Sequence, residues 1–145
     1  MHLIPLSLCI NVFYADDDED DQQIFKEIVS DFYPDIQLWA QHNGAELLGQ
    51  LGRCSELPAV IFLDLNMPVK NGLDTLAEIR SSAMWMDLPV IIFSTTSNPD
   101  IIARSKALGA NLYVIKPTSY SVLKETLCTL LATDWSKKAM SLMTS

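Results

Sequence analysis

The chain alternates five times between a short apolar run and a segment whose apolar residues recur at helical spacing. Runs rich in Val, Ile, Leu and Phe indicate buried strands, whereas recurrence every three or four residues indicates amphipathic helices. When strand and helix repeat with short loops, each helix returns the chain to the starting edge, so the strands lie parallel. The predicted strands are residues 8–14, 36–40, 59–63, 90–93 and 112–115, and the predicted helices are 22–32, 44–51, one from 72 onward, 99–108 and 119–132.

This pattern predicts an α/β protein of one domain. We expect a doubly wound, parallel five-stranded sheet in a flavodoxin-like (βα)5 arrangement with strand order 2-1-3-4-5. The domain is expected at residues 8–132, with a short N-terminal extension at 1–7 and a C-terminal tail at 133–145. A length of 145 residues with 49% hydrophobic composition is enough for one packed core.

Composition excludes several classes of function. The net charge is -8 and the sequence has no cluster of Lys or Arg, which argues against a nucleic-acid surface. No apolar run approaches the roughly 20 residues that span a bilayer, and residues 1–15 lack the basic start of a signal peptide. Cys9, Cys54 and Cys128 are odd in number and form no CxxC pair, so free thiols in a cytoplasmic protein are expected.

Polar and charged side chains follow four of the five predicted strands. Asp16 and Asp17 come after the first strand, Asp64 after the third, Ser94 after the fourth and Lys116 after the fifth. Right-handed crossovers bring the carboxyl ends of parallel strands to one edge, where doubly wound folds bind their ligands. We therefore expect these five side chains to converge, although they are far apart in sequence.

Convergence of three carboxylates predicts a cation site. Like charges repel, and a hard cation with oxygen ligands relieves that repulsion. Mg²⁺ suits a site with few carboxylates, waters and phosphate oxygens. Asp64 could then attack a phosphoryl group, with the metal and Lys116 neutralising the phosphoryl oxygens and Ser94 donating a hydrogen bond to the attached group.

With these motifs, the sequence resembles the receiver domain of bacterial response regulators, and the resemblance covers about residues 8–132. The matching motifs are Asp16-Asp17, Asp64-Leu65-Asn66-Met67-Pro68, Ser94-Thr95 and Lys116-Pro117.

The resemblance implies a role for each matching residue. It makes Asp64 the phosphoacceptor and implies that Asp17, Asp64 and the backbone carbonyl of Asn66 ligate Mg²⁺ or Mn²⁺, with Asp16 acting through a water. It makes Lys116 the phosphate-contacting lysine, commonly joined to the following proline by a cis bond.

Further roles concern the response to phosphorylation. Ser94 and Tyr113 stand where the family has its switch residues. Asn66 and Thr96, two residues beyond the phosphoacceptor and the switch serine, stand where the family tunes the lifetime of the phosphorylated state. We interpret Asp18 to Asp21 as a solvated, acidic helix start outside the site.

The resemblance implies a single-domain response regulator in a two-component system, a phosphoacceptor rather than an enzyme. A sensor histidine kinase or a histidine phosphotransfer protein would supply the phosphoryl group, and an unknown downstream protein would bind the face formed by the fourth helix, fifth strand and fifth helix. No nucleic acid or membrane is expected as a partner, and the protein is expected to be a monomer or weak dimer. The alternatives are a phosphorylation-independent interaction module with the same fold and an aspartyl-phosphate phosphatase.

Overall fold

The computed structural model describes residues 10–135, which form five strands alternating with five helices. The extension at 1–7, the predicted start of the first strand, Cys9 and the tail beyond 135 lie outside the described residues. The strands are β1 (Ile10–Ala15), β2 (Ile36–Gln41), β3 (Val60–Leu63), β4 (Val90–Ser94) and β5 (Leu112–Ile115), and the helices are α1 (Glu19–Phe32), α2 (Gly44–Arg53), α3 (Gly72–Ser81), α4 (Pro99–Ala107) and α5 (Tyr120–Ala132).

All neighbouring strands pair in parallel, and their order is β2-β1-β3-β4-β5. The predicted fold class and strand order are therefore confirmed. Each of the three central strands is buried on both faces, as a sheet with helices on both sides requires. Within residues 10–135, no helix is both long and apolar enough to cross a bilayer.

Side chains alternate between two separate cores along each strand. In β1, Phe13 belongs to the core shared with α2 and α3, whereas Tyr14 belongs to the core shared with α1 and α5. The second core contains stacked and edge-on aromatic rings, with ring centroids of Tyr14 and Phe25 separated by 4.1 Å. Trp135 also packs there and donates from its indole nitrogen to the carbonyl of Leu130 at 2.8 Å.

Each helix begins at a polar side chain that accepts hydrogen bonds from the first-turn backbone amides, which would otherwise lack a partner. For α1 this cap is Asp18, whose carboxylate accepts from the amides of Asp20 and Asp21. The helix consequently starts at Glu19, three residues earlier than the predicted position 22. The caps of the later helices are Asn43, Asn71, Asn98 and Ser119.

The loop between β3 and α3 contains a strained residue. Val69 has φ 65°, and the amide of Lys70 donates to the carbonyl of Pro68 at 2.6 Å, which closes a three-residue turn around Val69. This region of backbone space is disfavoured for residues with a Cβ, and a β-branched side chain is a particularly poor occupant. Val69 is also 84% exposed, so packing does not offset the strain.

Replacing Val69 by Asn is expected to stabilise the protein by about 1 kcal/mol, because Asn tolerates positive φ better than Val does. Urea unfolding would measure the change. The same replacement at Val122, which is 51% exposed in the helical backbone of α5, serves as the control and is expected to change stability little. Equal effects at the two positions would contradict the assignment of strain to Val69.

Candidate functional site

The carboxyl edge of the sheet gathers the charged residues that the sequence placed at strand ends. Asp16 and Asp17 follow β1, Asp64 follows β3, and Lys116 follows β5. Carboxylate oxygens of Asp16, Asp17 and Asp64 all lie within 4.8 Å of one another. Asp16 and Asp64 are buried whereas Asp17 is exposed, so the cluster opens to solvent on the side of Asp17.

Lys116 is the cation at the centre of this site, and its side chain is only 8% exposed. Its Nζ lies 2.7 Å from Asp16 Oδ2, 2.8 Å from Asp21 Oδ2 and 3.4 Å from Asp64 Oδ2. Burial alone would lower the pKa of Lys116, but the hydrogen bonds to Asp16 and Asp21 outweigh burial and raise that pKa above its ordinary value. The ammonium therefore stays charged throughout the physiological range.

Asp16 is fixed from several directions. Its Oδ2 accepts from the Tyr14 hydroxyl at 2.7 Å as well as from Lys116, and its Oδ1 accepts from the amide of Asp18 at 3.0 Å. Burial and the nearby Asp16 charge raise the pKa of Tyr14, so its phenol remains a donor. The buried Gln22 amide donates to the backbone carbonyl of Asp16 at 2.7 Å, which ties α1 to the end of β1.

Asp64 is a buried carboxyl with an electrostatic conflict. Its Oδ1 accepts from the amide of Leu65 at 2.8 Å, and the residue is 7% exposed. Burial raises the pKa of Asp64 to about 7, with Lys116 opposing that rise and Asp16 adding to it. Lys116 therefore only partly compensates the negative charge of the Asp16, Asp17 and Asp64 carboxylates. A metal cation that prefers oxygen ligands would compensate the remainder.

Ser94, Thr96 and Tyr113 form a connected group beside this cluster. Ser94 is fully buried, and its Oγ accepts from the amide of Thr96 at 3.2 Å. The Tyr113 hydroxyl donates to the carbonyl of Thr96 at 2.7 Å, which links β5 to the loop after β4. Asn66, two residues after Asp64, is exposed.

The structure corrects the interpretation of Asp21. The acidic run after Asp17 was interpreted as solvated, but Asp21 pairs with Lys116 and its side chain is 33% exposed. Because α1 begins at Glu19, Asp21 lies in the first helical turn, one turn before the buried Phe25 and on the same side of the helix. The four-residue spacing between Asp21 and Phe25 could have indicated that Asp21 lies on the inner side of the helix. The predicted helix began at residue 22, however, and this placed Asp21 in the preceding loop.

Two further points differ from the sequence expectation. Tyr14 was predicted only as part of the first strand and was given no role in the site, although its hydroxyl donates a hydrogen bond to Asp16. Residues two apart on a strand face the same side, so the pair was recognisable in principle. The Lys116–Pro117 peptide bond is trans, whereas the resemblance implied a bond that is commonly cis in the family.

Comparison with known proteins identifies the family and agrees with the fold. The family model of the response regulator receiver domain matches residues 12–128. The chain is 31% identical over 126 residues to chemotaxis protein CheY1 of Helicobacter pylori, covering 86% of this chain and 99% of that protein.

Solved structures give the same result. The phosphorylated cyanobacterial phytochrome response regulator RcpA superposes with a TM-score of 0.82 at 27% identity, covering 89% of this chain and 96% of that one. The Mn²⁺-bound form of response regulator Rcp1 superposes with a TM-score of 0.76 at 25% identity, covering 83% of this chain and 91% of that one. The chain therefore belongs to the response regulator receiver domain family of two-component signalling, whose members are signalling domains.

Proposed function

We propose that this receiver domain accepts a phosphoryl group on Asp64 from a phosphohistidine of a sensor kinase or a histidine phosphotransfer protein. The observation that carries the proposal is the convergence of Asp16, Asp17 and Asp64 at one sheet edge, with Lys116 in hydrogen-bonding contact with two of these carboxylates. In the reaction, an Asp64 oxygen forms a bond to phosphorus while the phosphorus–nitrogen bond of the donor breaks. The bonding electron pair stays on the imidazole nitrogen, which then takes up a proton.

The same residues would hold a divalent metal, with Mg²⁺ as the proposed ion and Mn²⁺ as a substitute. Asp17, Asp64 and the backbone carbonyl of Asn66 would be direct ligands. Asp16 would act through a water, which agrees with the engagement of both its oxygens by protein donors. When bound, the metal would neutralise charge on Asp64 and on the phosphoryl oxygens.

Ser94 and Tyr113 are the proposed switch residues. A new phosphoryl group on Asp64 would attract the Ser94 hydroxyl, whose oxygen now accepts from the Thr96 amide. Because the Tyr113 hydroxyl donates a hydrogen bond to the carbonyl of Thr96, movement of the loop after β4 would release or redirect the Tyr113 ring. Asn66, two residues after Asp64, and Thr96, two residues after Ser94, are proposed to adjust the lifetime of the phosphorylated state.

The proposed output surface is the face of α4, β5 and α5. Three large apolar side chains are exposed on β5 and α5, namely Ile115, Tyr120 and Val122. A protein bound there would cover them, with the phosphorylated state changing its affinity. We propose that the domain acts in the cytoplasm as a monomer or weak dimer and that it catalyses only its own phosphorylation and dephosphorylation.

Binding of beryllofluoride, which mimics an attached phosphoryl group, tests this function. With Mg²⁺ present, wild type is expected to show changes in amide NMR shifts at Ser94 and Lys116, whereas Asp64→Asn is expected to show none. Asp31→Asn, which removes an exposed carboxylate from α1, is the charge-matched control and should behave as wild type. A folded wild type that fails to respond would instead favour a phosphorylation-independent interaction module.

A further inference from the structure

The Lys116 ammonium has no free donor in this structure. A lysine ammonium offers three N–H groups, and here they point to Asp16, Asp21 and Asp64. The two short contacts, 2.7 and 2.8 Å, are to Asp16 and Asp21, while the contact to Asp64 is 3.4 Å. A phosphoryl oxygen on Asp64 can therefore gain a hydrogen bond from Lys116 only if one existing contact is released.

The three acceptors differ in how readily they can release Lys116. Asp16 is fully buried and its position is fixed by Tyr14 and by the Asp18 amide, so loss of the ammonium would leave a buried carboxylate charge without its cation. Asp64 is the residue to be modified. The Asp21 side chain is 33% exposed, compared with 0% for Asp16, so its carboxylate can be hydrated when the ammonium leaves.

We propose that Asp21 is a positioning residue that competes with the phosphoryl group for Lys116. This inference rests on the proposed function of Asp64. In the unphosphorylated domain Asp21 holds the ammonium towards α1, and on phosphorylation Lys116 exchanges Asp21 for a phosphoryl oxygen. The Asp21 contact therefore weakens binding of phosphoryl groups and their mimics and favours the inactive state.

Removing the competitor should strengthen binding of beryllofluoride at saturating Mg²⁺. Asp21→Asn is expected to lower the Kd for beryllofluoride by roughly twofold to fivefold, the range of a partly exposed ion pair. Asp20→Asn is the matched control, because Asp20 is an exposed neighbour with the same charge and does not pair with Lys116. Asp21→Glu, which restores a carboxylate, is expected to return the Kd towards the wild-type value.

A second measurement uses wild type alone and so does not depend on how the variants fold. On addition of beryllofluoride, the carboxyl carbon resonance of Asp21 and the side-chain ammonium resonance of Lys116 are expected to shift together, with a much smaller shift at Asp20. An unchanged Asp21 resonance beside a shifted Lys116 resonance would overturn the proposal. So would an Asp21→Asn variant that matches Asp20→Asn or binds beryllofluoride more weakly than wild type.

Failure of the proposed function has a different signature. If wild type shows no Asp64-dependent binding of beryllofluoride, the phosphoacceptor role falls and the competition by Asp21 falls with it. If wild type binds in an Asp64-dependent manner but Asp21→Asn has no effect beyond that of Asp20→Asn, only the role of Asp21 is wrong.

Discussion

In the absence of a divalent metal, Asp64→Asn is expected to stabilise the protein increasingly as pH rises, by up to about 4 kcal/mol between pH 4 and pH 8. Burial raises the pKa of Asp64 from its ordinary value of 3.8 to about 7 in the folded protein. The folded state therefore holds the proton more tightly than the unfolded chain does. The difference between a pKa of 3.8 and a pKa of about 7, at roughly 1.4 kcal/mol for each tenfold change in proton affinity, sets the upper size of the effect.

The sign follows from the protons bound in each state. Between pH 3.8 and about 7 the folded state binds more protons at Asp64, so the stability of wild type declines as pH rises through this range. The stabilising contribution of the protonated carboxyl is complete below the unfolded pKa and is lost above the folded one. Asparagine has no such proton to lose, so the difference between variant and wild type widens across the same window.

Urea unfolding at several pH values without Mg²⁺ would measure this difference. Asp31→Asn, which also removes one negative charge but from an exposed position, serves as the control and should not show the same widening. A constant difference between Asp64→Asn and wild type across pH 4 to 8 would contradict a raised pKa at Asp64. Adding Mg²⁺ at pH 8 is expected to stabilise wild type more than the variant, because Asp64 is a proposed ligand.

The residues that could be predicted from the sequence are those fixed by strand ends. Asp64 and Lys116 are 52 positions apart, yet their contact was predictable because parallel strands bring their carboxyl ends to one edge. The apolar run before each residue identified the strand, and the change to a charged residue marked its end. The same reasoning placed Asp16, Asp17 and Ser94 correctly at the ends of their strands.

The features that could not be predicted depend on the backbone conformation of a few consecutive residues, such as the position at which a helix begins or the φ angle in a turn. The contact of Asp21 with Lys116 depends on where α1 begins, and the cap by Asp18 moved that start by three residues. In an unbroken run of acidic residues, no compositional change marks the cap. The positive φ of Val69 could not be predicted either, because such turns favour glycine or asparagine and valine is a poor occupant of this backbone conformation.

The close packing of α3 against the backbone of Asp64 and Leu65, at the end of β3, could not be predicted either, and it leads to the second large expected effect. Gly72 is the first residue of α3, and its amide donates to the carbonyl of Leu65 at 2.9 Å. A Cβ at this position would lie 2.2 Å from the carbonyl oxygen of Asp64 and 2.9 Å from the Cα of Leu65. Both neighbours are backbone atoms, so no side-chain rotation can relieve the overlap.

Gly72→Ala is therefore expected to destabilise the protein by about 1–3 kcal/mol, the range for overpacking a buried position. The displaced backbone carries Asp64, so binding of beryllofluoride is expected to weaken as well. Gly52→Ala is the matched control, because Gly52 lies exposed in α2 and an added Cβ would meet nothing within 4 Å. There the same substitution is expected to stabilise by about 0.5–1 kcal/mol through helix propensity.

The two alanine variants are thus expected to change the free energy of unfolding in opposite directions, and only Gly72→Ala is expected to weaken phosphoryl-mimic binding. Urea unfolding and beryllofluoride titration on both variants would measure the two effects. If Gly72→Ala were as stable as wild type, the close packing of α3 on the backbone of Asp64 would be wrong. If it were unstable but bound beryllofluoride normally, the strain would be absorbed by α3, and the backbone of Asp64 would be held in place by β3 alone.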